Sequence, residues 1–137
     1  MKSTKIMYWV STVIICLFAM NAIMMNSQMA IDGTTHLAIP RYLGLEVSIA
    51  QLIGGVVLFV PAIPARFKEW AYVGFGIMYL TAINAHLSIG YHLDNSVVPP
   101  FDVNKDIMGI IMASVFFVLL IISYTSFHKL QAAKGKA

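Results

Sequence analysis

From Trp70 to His92 the chain reads WAYVGFGIMYLTAINAHLSIGYH, with no aspartate, glutamate, lysine or arginine. An uncharged apolar stretch of about 20 residues is what a helix needs to cross a bilayer. Three other runs meet the same requirement, so the expected spans are about residues 6–25, 42–63, 70–91 and 107–124. Pro61 and Pro64 mark the end of the second. The fold class is therefore all-α, a four-transmembrane-helix antiparallel bundle. With no internal repeat or low-complexity segment, residues 1–137 form a single membrane domain.

Composition supports lipid as the main solvent. Only 11% of the 137 residues are charged against 59% hydrophobic, where soluble domains are about one-quarter charged. Too few polar side chains remain to clothe a water-facing surface. Lys2 and Lys5 before an apolar run resemble a signal peptide. The run is too long for one, however, and no small-x-small cleavage site follows, so a retained first helix is expected.

The net charge of +3 does not point to nucleic acid, because the cations sit at helix ends and form no stripe. Lys2, Lys5, Arg66, Lys68, Lys129, Lys134 and Lys136 fall on one side, and Arg41 and Lys105 on the other. Positive residues collect on the cytoplasmic side, which places both termini in the cytoplasm. A multi-pass protein of a bacterial plasma membrane is expected. The expected neighbours are the lipid bilayer and, as candidates, a membrane or redox partner subunit and further copies of itself.

The lone Cys16 excludes an intrachain disulfide and a C-x-x-C redox pair. Gly44, Gly54, Gly55, Gly74, Gly76, Ala82 and Ala85 read as close-packing positions on the second and third spans. The outer loops, Asn26–Arg41 and Leu93–Lys105, are longer than the inner turn Pro64–Glu69, so binding is expected from outside.

Polar residues inside apolar spans cost free energy and are candidate sites by default. At a rise of about 1.5 Å per residue, His86 lies about 24 Å from Trp70 in a core of roughly 30 Å. Glu46, Asn21 and Asp106 fall near the same outer level, one from each remaining span. The ligand-binding or proton-handling candidates are therefore Glu46, His86, Asp106, Asn21 and Asn84. Asn84 and His86 are about 200° apart around their helix, so His86, on the face of Tyr79, is favoured. Glu46 and His86 are expected to approach each other. The alternatives are structural: an ion pair of Glu46 with Arg41 or its hydrogen bond to Asn84 or His86, donation by the His86 imidazole to a neighbouring helix, a helix-start role for Asp106, and interhelical hydrogen bonding by Asn21.

His86, His92, Glu46, Asp102 and Asp106 could converge, but no metal-ligand spacing signature is present, so no metal is assigned. No nucleotide-binding or serine-nucleophile motif occurs, and no catalytic residue is assigned.

The segment LGLEVSIAQLIGG, the following proline-bounded turn, FKEWAYVGFG and AHLSIG together resemble the DoxX-like family of small four-helix membrane proteins, over about residues 40–120. Glu46, Glu69, Trp70 and His86 stand at that family's characteristic positions. Some of its members are linked to membrane oxidoreductase complexes, including a thiosulfate:quinone oxidoreductase subunit. The resemblance implies a quinone-linked oxidoreductase subunit or a binder of a small hydrophobic ligand, with quinone as the candidate cofactor. The alternative is a non-enzymatic accessory or assembly subunit of a larger membrane complex. A transporter ranks lower, because inverted repeats and broken helices are lacking.

Overall fold

The structure, a computed structural model, describes residues 2–88 and 103–134. Among the described residues it is all-helical: α1 (Lys2–Ala19), continued by a 3₁₀ turn at Met20–Met24, then α2 (Gln28–His36), α3 (Arg41–Phe59), α4 (Ala65–Ser88) and α5 (Val103–Lys134). The end of the expected third span, most of the outer loop Leu93–Lys105, and His92 and Asp102, weighed above as metal ligands, lie outside the described residues.

Helix ends follow from local chemistry. Ser27 starts α2: its backbone is extended and its hydroxyl accepts from the Ala30 N–H at 3.3 Å, satisfying one orphan donor of the first turn. The same helix stops at a residue in the left-handed region, Ala38 with φ 53°. The Ala38 N–H returns to the Thr35 carbonyl and the Ile39 N–H to the Thr34 carbonyl, the paired closure that usually employs glycine.

α3 ends at Phe59 rather than near Ile63 because Pro61 drives Val60 into extended backbone. α5 runs past the expected end at Tyr124 to Lys134, carrying a more polar turn beyond its apolar run. The segment Asn26–Arg41, read as a loop, contains α2.

α1, α3, α4 and α5 close a ring of contacts in that order, and α2 lies against α3. The core within the ring is aromatic. Phe18 stacks on Phe116 at 4.0 Å between centroids, and Tyr79 stacks on both Phe75 and Phe116 at 6.0 Å. Close packing on small residues is visible at Gly54, where an added Cβ would stand 2.9 Å from the Phe75 ring. Gly55 similarly admits Ala19 of α1.

The outward face is the apolar one. Ile6, Leu17, Ile53, Val73, Ile77 and Met108 are each about half exposed or more, a surface that water would not tolerate over such an area. Among the described residues three helical stretches are long and apolar enough to cross a membrane: Lys2–Met24, Arg41–Phe59 and Asn104–Ala133. α4, which holds the expected third span, is not one of them over its described residues Ala65–Ser88, where Asn84 and His86 dilute the apolar run that starts at Trp70. The protein is an integral membrane protein.

Lys68 departs from its reading as a surface topology signal. It is buried, and its ammonium donates to the Leu58 carbonyl at 3.0 Å and to the Tyr8 hydroxyl at 3.5 Å. Leu58 belongs to the last turn of α3, whose carbonyls lack helical partners and carry the negative end of the helix dipole. The lysine therefore closes α3 from within the core.

Candidate functional site

Three helix ends converge at the other end of the core. His36 lies in the last turn of α2, His86 in the last described turn of α4 and Asp106 in the first turn of α5. The placement of Asp106 suits its local field, since carboxylates favour helix starts. Asp106 is fully buried, whereas the two imidazoles retain about one-sixth of their surface. His36 Nε2 stands 2.9 Å and His86 Nδ1 2.8 Å from the same oxygen, Oδ1 of Asp106.

Both histidines donate their N–H when Asp106 is a carboxylate. That fixes the tautomers and leaves His36 Nδ1 and His86 Nε2 as the remaining nitrogens. A buried carboxylate needs such partners, because an unpaired charge would bear a large desolvation cost. Distances of 2.8–2.9 Å also lie within the range for proton transfer. The arrangement can hold a proton between carboxylate and imidazole and offer a nitrogen to a neighbouring carbonyl or hydroxyl.

Gly109 makes the arrangement possible. It lies one turn along α5 from Asp106, and a Cβ there would overlap the His86 ring. The imidazole occupies the space that any other residue would fill.

Of the sequence candidates, His86 and Asp106 are brought together. The expected approach of Glu46 to His86 is replaced by that bond to Asp106. Glu46, Asn21 and Asn84 are exposed on their helices, and among the described residues none is hydrogen-bonded or ion-paired to the three. The pairing of Glu46 with Arg41 is not formed either. Arg41 instead donates to the Met25 carbonyl at 2.9 Å and to Asn26 Oδ1 at 2.6 Å, tying the start of α3 to the end of the 3₁₀ turn.

His36 is the residue that sequence reasoning missed. Ser27 as a cap and Pro40 as a stop were the available signals for α2. They bracket a helix whose last turn carries this histidine.

A second buried polar group lies further along the core. The Ser123 hydroxyl is 2.8 Å from both Thr12 Oγ1 and the Tyr72 hydroxyl, linking α1, α4 and α5. Tyr72, Tyr79 and His86 recur at seven-residue spacing on one face of α4. The Tyr79 hydroxyl is buried and has no hydrogen-bond partner among the described residues. Glu69 forms an exposed pair with His128 at 3.0 Å, and Trp70 lies exposed beneath the Arg66 guanidinium. Cys16 donates weakly to the Gly55 carbonyl at 3.3 Å, a packing contact between α1 and α3.

Comparison with curated proteins and with solved structures gives no match. The sequence profile of the DoxX-like family matches residues 9–123. A match over most of the chain, from α1 into the second half of α5, makes this membrane protein a member of the DoxX-like family.

Proposed function

We propose that all four long helices of this DoxX-like protein cross a bacterial plasma membrane, with both termini cytoplasmic, and that its outer half binds a small hydrophobic molecule by its polar head. The observation that carries the reading is the pair of imidazoles on one oxygen of a fully buried aspartate. Ionisable groups of this kind are expensive within a bilayer and mark a functional position by default.

A quinone suits the residues present. Its carbonyls accept hydrogen bonds, its reduced hydroxyls donate them, and an imidazole can do either. Quinone reduction takes up protons, and the cluster would deliver or receive them while electrons come from a partner subunit. Glu46, Asn21 and Asn84, exposed at a similar level, would meet the ligand at its entrance or contact that partner.

The test is to purify the protein from native membranes and quantify bound quinone by mass spectrometry. We expect near-stoichiometric quinone, reduced at least tenfold in folded His86→Ala and Asp106→Asn variants. Absence of quinone from the wild type, or equal retention by the variants, overturns the reading.

A second reading, an accessory or assembly subunit without its own ligand, is favoured by the bonds that already join the two imidazoles to Asp106 and hold three helix ends together. The same purification separates the two, since a stoichiometric protein partner without quinone selects the second.

A further inference from the structure

Remote from Asp106, the start of α1, the α3–α4 turn and the end of α5 enclose a groove of about 440 Å³. Volumes of this order accept small ligands. The walls are of two chemical kinds. Lys5, Lys68 and Gln131 bring cationic and polar groups, while Tyr8, Trp9 and Phe127 bring aromatic faces. The rings form one surface: Tyr8 and Trp9 meet edge to face at 5.4 Å, and Tyr8 and Phe127 lie 6.2 Å apart.

Among the described residues the charge around the groove is mostly positive. Lys2, Arg66 and Lys129 belong to the same end, and Glu69, an acid there, is engaged by His128 at 3.0 Å. Trp9 lies near the start of a membrane-crossing helix, the depth at which tryptophan meets lipid headgroups. A groove at that depth with two ammonium groups beside apolar rings matches an amphiphile with a negative head. Basic pockets between membrane helices take anionic lipid headgroups for this reason.

We infer that the groove is a binding site for an anionic phospholipid of the surrounding leaflet. The phosphate lies by the Lys5 and Lys68 ammonium groups, and an acyl chain runs along Trp9 and Phe127. Lys68 keeps its bonds to Leu58 and Tyr8. The phosphate needs only the nearness of its charge, not a vacant N–H. Each lysine near a charged lipid surface contributes roughly fivefold in affinity. A zwitterionic lipid loses that advantage, because its own cation meets the same positive field.

Trp9 serves as the reporter. The full chain carrying Trp70→Phe, so that Trp9 is its sole tryptophan, is reconstituted in phosphatidylcholine vesicles. These contain about one-tenth of either brominated phosphatidylglycerol or brominated phosphatidylcholine. We expect the anionic lipid to quench Trp9 at least twice as strongly. The ratio falls towards one in Lys5→Gln and in Lys68→Met. Equal quenching by the two lipids in the parent protein, or a ratio unchanged by Lys5→Gln, overturns the site. Lys5 is exposed, so Lys5→Gln decides the matter alone if Lys68→Met fails to reconstitute.

Discussion

His86 occupies the space that a side chain at Gly109 would need. Because the ring is also held to Asp106 at 2.8 Å, it cannot swing aside without breaking that bond. Gly109→Ala should therefore destabilise the protein by about 1–3 kcal/mol, the usual cost of overpacking. The companion is His86→Ala, which empties the space. In the double variant the alanine at position 109 should cost little more than His86→Ala alone, as thermal unfolding in detergent would show. Additive losses would mean that the two positions do not share this space.

The two histidines should be energetically coupled through the oxygen they share. His36→Ala and His86→Ala each remove one charge-assisted hydrogen bond from Asp106, about 1.5–3 kcal/mol. Residues in one network deviate from additivity by about 0.5 kcal/mol or more, and a double-mutant cycle by denaturant or heat measures this. His36→Ala has a further local effect. It releases the end of α2 from α5, so amide exchange across residues 28–36 should accelerate relative to α3. Unchanged exchange there would show that α2 is held by its contact with α3 alone.

Ser123 and Tyr79 should respond oppositely to losing a hydroxyl. Ser123→Ala takes away the shared partner of Thr12 and Tyr72 and leaves polar groups buried, costing about 1–3 kcal/mol. Tyr79→Phe removes a buried hydroxyl with no partner among the described residues, so stability should hold or rise slightly. A clear loss on Tyr79→Phe would reveal a bound water or ligand at that oxygen. Melting temperatures of the two variants, measured side by side, decide it.

Ala38 closes α2 with a positive φ that alanine tolerates poorly. Ala38→Gly should stabilise this closure by up to about 1 kcal/mol, with the greater chain entropy of glycine offsetting part of the gain. Slower amide exchange at Ile39, whose N–H completes the motif, would report it. Faster exchange there would show that the closure is set by tertiary contacts instead.

The sequence by itself determined the medium. Charge is scarce and apolar runs are long, and no arrangement of these residues could make a water-facing skin. Both helix type and approximate position followed. The end of α3 was legible only approximately: the prolines marked it, but the apolar run carried the expected end to Ile63, whereas Pro61 disfavours helical backbone at Val60 and the helix stops at Phe59. His86 and Asp106 stood out because polar groups in apolar helices cannot go unanswered.

Which partner answers which group was not legible. Glu46 and His86 lie at a similar height along their helices, but height says nothing about rotation. Packing of α4 against α5 turned His86 to Asp106 and left Glu46 outside. His36 reached the same oxygen because Ser27 and the Ala38 closure fold a short helix within what reads as a loop. Lys68 looked like any lysine of a basic turn, yet the end of α3 needed a donor and drew it into the core. Local chemistry fixes where helices start, stop and meet lipid. Only the packed structure decides which buried polar groups meet, because that depends on rotations and crossings set by side chains far apart in the chain.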